Sequence, residues 1–272
     1  MGGTNLRAGL LDQGELIKVN RESLAHKESE QKTIQQLIGL IEPLVVPELK
    51  GIGIGVPSVV DVEKGIVYDV VNIPSWKKVE LKKILETNFG VPVFINNDVN
   101  CFALGEYSFG KAAQFDSLVA LTLGTGLGAG IVLKGQVYEG SNCGAGEIGY
   151  LPYLDSNYEL YTSGSFFERC YKSSGKDLFE QALRGERAAI EAWIKYGQHL
   201  GGVIKAVMYA YDPKAIVLGG SISNAYDYFE ASMKLSLHDF QYPESVKRIL
   251  IFKSELENAS LLGAAALVRF DS

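Results

Sequence analysis

Gly3 to Leu16 read GTNLRAGLLDQGEL, and Gly124 to Val137 read GTGLGAGIVLKGQV. Laid over each other without a gap, at a constant offset of 121, the two stretches share six identities in fourteen positions. Gly3 meets Gly124, Thr4 meets Thr125, Leu6 meets Leu127, Ala8 meets Ala129, Gly9 meets Gly130 and Gly14 meets Gly135. Apolar character agrees where identity does not, at Leu10 and Ile131, Leu11 and Val132, and Leu16 and Val137. The pattern is one strand–turn–strand unit used twice, about one lobe apart. Two glycine-rich hairpins can match by chance, but a second pair supports duplication. GIGIGVPS from Gly51 and AIVLGGSIS from Ala215 each read as a buried strand ending in a glycine loop.

The repeat raises a question about the start of the first copy. In the second copy SLVALTL leads into Gly124. At the same offset Met1 and Gly2 pair with Thr122 and Leu123, and the partners of Ser117 to Leu121 fall ahead of residue 1. We therefore read the opening GGT as a phosphate turn whose entering strand lies upstream, rather than as a loose tail.

A glycine turn has no Cβ to hold off a ligand, so its amides can converge on an oxyanion while a threonine hydroxyl adds a donor. A lone GTG is more often a plain hairpin turn. Two aligned copies point to polyphosphate binding. Neither copy is followed by GKS or GKT, as a Walker loop would be. LGAGIVL continues as strand, so GTGLGAG does not open a helix as a dinucleotide fingerprint should.

Strand-like and helix-like stretches alternate over 272 residues, which predicts an α/β protein with mixed sheets. We expect a lobe boundary near 110–115, dividing an N-terminal lobe, 1–112, from a C-terminal lobe, 113–257. Net charge is −6, which argues against binding a phosphodiester backbone, since that needs a basic face. Three widely spaced cysteines (Cys101, Cys143, Cys170) make neither a disulfide framework nor a zinc site, and a reducing cytoplasm fits them.

Acid–base chemistry points to FINNDVNCFALGE. VPVFI reads as a short strand and Asn100 onward as helix, so Asn96, Asn97 and Asp98 fall at a strand-to-helix junction, a common place for reacting groups. An aspartate there can take the proton of a hydroxyl attacking phosphorus. The competing reading is that Asp98 or Asn100 caps the helix. Glu147 in GAGEIGY and Glu159 in SNYELYTSG are good acceptors for sugar hydroxyls, or simply exposed loop acids.

Taken in order, GGTNLRAGLLD, GIGIGVPSVVD, INNDVNCFALGE, TLGTGLGAGIVLKGQVYEG, GAGEIGY, ELYTSG and AIVLGGSIS resemble the ROK family (repressors, open reading frames and kinases) over nearly the whole chain. The resemblance implies an actin-like, hexokinase-type ATPase fold of two lobes with an interlobe cleft. It implies ATP-dependent phosphorylation of a hexose or N-acylated hexosamine, with Mg2+. Asp98 matches the general base and Asn97 its sugar-holding neighbour. Glu147, Glu159, Tyr150, Ser58 and Asn72 fall at sugar-binding positions. Gly3, Thr4 and Asn5 match the first phosphate loop, Gly124, Thr125 and Gly126 the second, and Gly219 and Gly220 the loop near the nucleotide. The helix within 258–270 matches the terminal helix that joins the first lobe. The resemblance also suggests a homodimer that binds sugar and nucleotide, not nucleic acid or membrane.

Several positions depart from the family pattern. Tyr150 stands where a histidine is common, and LPYLDSNYELY holds none of the cysteines of the usual zinc cluster, so no zinc is expected. Ser58 replaces a frequent glycine and Asn5 a frequent lysine. The magnesium-linked aspartate of Asp-x-Gly-Gly-Thr falls before residue 1, so no metal ligand is assigned. These departures keep open a degenerate sugar-binding or regulatory member.

Overall fold

The computed structural model describes residues 1–2, 4–141 and 143–268. Gly3 and the last residues of the expected 258–270 helix lie outside that set. Two compact units form, Met1–Ala113 with Val137–Ala145 and the chain from Leu256, and Gln114–Gln136 with Gly146–Glu255.

The first unit opens with an antiparallel hairpin, β1 (Asn5–Asp12) and β2 (Glu15–Ser23). Its turn residues Gln13 and Gly14 have φ of 48° and 88°. Two successive left-handed residues make the turn whose twist suits a hairpin, which is why glycine sits second. Helix α1 (Glu30–Ile41) is capped by Ser29 and buries Ile34, Leu37 and Ile41 on one stripe. Strand β3 (Ile52–Val56) ends before Pro57, which lacks the N–H to continue a ladder, and Ser58 N turns back to the Val56 carbonyl. The single run read as GIGIGVPSVVD therefore divides into β3 and β4 (Val59–Asp61). β4, β5 (Ile66–Tyr68) and β6 (Lys78–Val79) form a small antiparallel sheet. Helix α2 (Leu81–Phe89) stops at Gly90, and β7 (Val93–Asn97) pairs parallel to β3. Helix α3 (Asp98–Phe109) follows β7 without a linker.

The second unit is built on one mixed sheet. Its strands are β8 (Ser117–Leu123), β9 (Leu127–Leu133), β10 (Gln136–Val137), β13 (Ala215–Gly219) and β14 (Leu250–Lys253), in the order β10-β9-β8-β13-β14. β8 runs antiparallel to β9 and parallel to β13. Every residue of β13 is buried, as expected of a parallel strand covered on both faces. Between β10 and β13 come a short hairpin of β11 (Pro152–Tyr153) and β12 (Ser156–Asn157) and helices α4 (Tyr158–Thr162), α5 (Gly164–Tyr171), α6 (Gly175–Leu183) and α7 (Arg187–Tyr211). Helices α8 (Tyr226–Leu235) and α9 (Pro243–Arg248) separate β13 from β14. α7 and α8 pack together, with Trp193 and Tyr196 against Phe229. Helix α10 (Ala259–Ala266) belongs to the first unit, where it lies on α3 and β3.

The internal repeat is visible in three dimensions. The β9–β10 turn, Lys134 and Gly135, has φ of 53° and 76°, the same left-handed pair as Gln13 and Gly14 at the offset of 121. β3 and β13 each carry a parallel neighbour, β7 and β14. In the first unit, however, β1 pairs only with β2 and β3 only with β7. Among the described residues nothing occupies the place that β8 holds in the second unit.

Candidate active site

Strand β7 delivers Asn96 and Asn97 into the start of α3. Asn97, not Asp98 or Asn100, is the N-cap: its Oδ1 accepts from Val99 N at 2.8 Å and Asn100 N at 3.4 Å. Its Nδ2 donates to the Ser58 carbonyl at 3.2 Å. The capping role therefore falls one residue before Asp98. Burial raises the Asp98 pKa above its ordinary value, opposed by the Met1 ammonium and by the amides of Val99 and of Asp98 itself. A carboxyl group held this way is easier to protonate, which suits a base.

Behind this junction lies a polar network that the sequence did not reveal. Asn96 is 1% exposed. Its Oδ1 accepts from Asn97 N at 2.8 Å and Asn100 Nδ2 at 2.9 Å, and its Nδ2 donates to Glu139 Oε1 at 2.6 Å. The Cys143 thiol sits 3.6 Å from Asn96 Oδ1, its pKa pushed up chiefly by burial, so it serves as a neutral donor. Glu139 and Cys143 come from 137–145, the segment that returns to the first unit. Their only local signal was polarity beside a glycine-rich loop. Nearby, Ser58 Oγ donates to the Tyr68 carbonyl. Thr4, in a bend, and Asn5, at the start of β1, are both exposed, with Asn5 Nδ2 donating to Thr4 Oγ1 at 3.2 Å. Asn72 lies in an exposed turn after Val70.

In the second unit the two expected glycine loops stand side by side, because β8 and β13 are parallel neighbours and each loop follows a strand's carboxyl end. Gly124 N closes the first turn onto the Gly126 carbonyl at 3.1 Å, leaving Thr125 exposed at its tip. Gly220, at φ 86°, passes so close to Leu123 that a Cβ there would run into its carbonyl. The amide of Gly164, first residue of α5, donates to the Gly124 carbonyl at 2.8 Å. Such a cradle of glycines admits a phosphate close to the backbone.

The carboxylates divide. Glu147 is exposed just before a single turn of 3-10 helix that carries Tyr150, itself 67% exposed. Glu159 is half-buried, and its Oε2 accepts from Leu127 N at 3.0 Å, bracing the glycine turn from α4. The segment between them is held by aromatic packing. Tyr153 stacks on Tyr158 with centroids 4.5 Å apart and meets Tyr161 edge-on at 5.4 Å. Tyr153 Oη lies 3.1 Å from His199 Nδ1, and the Arg169 guanidinium covers the Tyr161 ring at 4.3 Å. Among the described residues no cluster of three His, Cys, Asp or Glu side chains is placed to hold a metal. No helix among them is long and apolar enough to cross a membrane.

Two structurally duplicated units, paired glycine loops and an aspartate at a strand-to-helix junction define an actin-like, hexokinase-type ATPase fold. The chain belongs to the ROK family, whose model matches residues 1–270. It is 29% identical to a glucokinase of Thermotoga maritima over 99% of this chain and 95% of that one. It is 31% identical to an N-acetyl-D-glucosamine kinase of Vibrio cholerae over 92% of this chain and 87% of the relative. It is also 28% identical to the xylose repressor of Bacillus subtilis, over 81% of this chain but 61% of the repressor. A ROK glucokinase from Streptomyces griseus, solved with glucose and AMPPNP, superposes with a TM-score of 0.82 at 23% identity, covering 98% of this chain and 96% of that one.

Proposed function

We propose that this protein transfers the terminal phosphoryl group of ATP to a hydroxyl of a hexose or N-acylhexosamine, with Asp98 as general base. The observation that supports it most is the Asp98 junction. Asn97 caps α3, Asn96 anchors Asn97, and the Asp98 carboxyl is pushed toward the neutral form by burial. In this reading Asp98 accepts the proton of the sugar hydroxyl as its oxygen attacks phosphorus, and ADP leaves. Asn97, Ser58 and Asn72 are, in this reading, the first unit's own candidates for holding a sugar hydroxyl, and Glu147, Glu159 and Tyr150 are the second unit's.

Thr4 and Asn5 are the first unit's candidates for a phosphate oxygen, and the Gly124–Gly126 turn with Gly219 and Gly220 the second unit's. The fit rests on the bare turn at Gly124, where a Cβ would meet only Ser221 Oγ at 3.8 Å, so the backbone there is open to a close ligand. A magnesium ion bound with the phosphates would neutralise part of their charge. In the same reading residues 1–112 with the terminal helix carry the general base, sugar contacts and the first phosphate loop, 113–257 carry the nucleotide loops, and the protein works as a cytoplasmic homodimer. The test is a coupled assay with ATP against a panel of hexoses and N-acylhexosamines. Turnover of at least one supports the proposal, and turnover of none sinks it.

A second reading draws on the repressor relative: a sugar-binding regulatory protein without catalysis. Calorimetry separates the two, since sugar binding without nucleotide binding or turnover belongs to the second alone.

A further inference from the structure

One short segment, 159–164, holds the glycine turn between β8 and β9 at both ends. At the far end Glu159 Oε2 accepts from the amide of Leu127, the first residue of β9, at 3.0 Å. At the near end the amide of Gly164 donates to the Gly124 carbonyl at 2.8 Å. The two grips belong to one piece of structure. The Ser163 amide donates to the Glu159 carbonyl at 3.0 Å, so the end of α4 fixes the start of α5. Between the grips Gly124 N closes on the Gly126 carbonyl.

Glycines let the carboxylate come this close. A Cβ on Gly126 would lie 2.6 Å from Glu159 Oε2, so a side chain there would push the carboxylate off Leu127 N. A Cβ on Gly149 would lie 2.7 Å from the Leu127 carbonyl and 3.4 Å from Glu159 Cβ. The loop that carries Glu147, two residues earlier, therefore packs on the same joint. Leu127 has its amide held by one of the second unit's sugar candidates and its carbonyl covered by the loop of the other.

The bond to Leu127 does not use up Glu159. A carboxylate has two oxygens, and each accepts more than one donor. Its charge also has a consequence. A negative group against a turn that takes up phosphate repels the ligand, and every donor gathered on it lessens that repulsion. A donor also restricts its rotamers, so less freedom is left to lose when the turn closes on a ligand. Both effects have the same sign.

We propose that Glu159 is the positioning residue of the Gly124–Gly126 turn and couples the two substrates through it. A sugar hydroxyl donated to its carboxylate steadies the turn that receives the nucleotide's phosphates, so each ligand tightens the other. The coupling is reciprocal, as linkage requires. The inference rests on the kinase reading and deepens it, giving Glu159 a second task beside contact with sugar.

The test is calorimetry of AMPPNP with Mg2+ on the full chain, alone and with saturating glucose or N-acetylglucosamine. Amide exchange at Gly126 and Leu127 is read alongside. In the wild type one of the two sugars should tighten AMPPNP by about fivefold or more. Glu159→Ala should weaken AMPPNP without sugar by about tenfold, quicken exchange at Leu127 and abolish the sugar's effect. Glu159→Gln, whose amide oxygen still accepts from Leu127 N, should keep most of the affinity and the slow exchange. Should the Ala variant fail to fold, Glu159→Asp, one methylene short of Leu127 N, carries the same expectation. AMPPNP affinity equal in wild type and variant overturns the proposal, as does a sugar effect that survives in the variant or is absent from the wild type. A lowered Tm with affinity and coupling unchanged also overturns it, leaving Glu159 a structural brace. A wild type that binds no AMPPNP and phosphorylates no sugar sinks the kinase reading itself, a result distinct from all of these.

Discussion

Asn96 Nδ2 donates to Glu139 Oε1 across 2.6 Å, tying the end of β7 to a carboxylate 43 residues along the chain. Asn96 is buried, and its other polar atom already holds Asn97 N and Asn100 Nδ2. Removing the acceptor by Glu139→Ala strands a buried donor, a loss of about 1–3 kcal/mol. Urea unfolding should show that loss, and kcat should fall while Glu139→Gln, whose amide oxygen still accepts, keeps most of both. Equal kcat for the Ala and Gln variants would separate Glu139 from the site.

The acid limb of kcat/KM should report Asp98. Burial raises its pKa, so the base is lost to protonation as pH falls through a value above the ordinary 3.8 for aspartate. The Met1 ammonium opposes that rise, so extending the chain ahead of Met1 should move the limb to higher pH. A limb at or below the ordinary aspartate value in both forms would contradict the assignment.

Helix α10 meets α3 through glycines. A Cβ on Gly263 would run into the Cys101 carbonyl, and one on Gly105 into the Ala259 carbonyl. Gly263→Ala cannot be absorbed by a flexible side chain, because the obstacle is backbone. It should cost about 1–3 kcal/mol or more, read as a lowered denaturation midpoint. Gly39→Ala, in α1 with open space around it, should not destabilise.

His199 gives the second unit a pH signature. Burial, then Lys195 and Arg169, depress its pKa from 6.5 to about 4. A depressed histidine stays neutral in the fold while the unfolded chain binds a proton below pH 6.5. Its contribution to stability is therefore full above 6.5 and is lost as pH falls toward 4. Thermal unfolding followed between pH 7 and 4 should show that loss, and His199→Phe should flatten it.

What could be read from sequence was what local chemistry dictates. The hairpin turns at Gln13–Gly14 and Lys134–Gly135 were legible because left-handed φ favours glycine. The Asp98 junction was legible because an apolar run stops at polar residues. Which of three successive polar residues caps α3 was not, since that depends on where β7 ends. Glu139 was hidden because its partner is remote in sequence. The β11–β12 hairpin and α4 were missed for a related reason: rings gathered around His199 hold them, with little local pattern.

The central claim is that Asp98 takes the proton. Asp98→Asn keeps shape and removes the base, so sugar affinity by calorimetry should change little while kcat falls about 10²–10⁴-fold. Equal kcat in wild type and Asp98→Asn, on a sugar that the wild type phosphorylates, would contradict it.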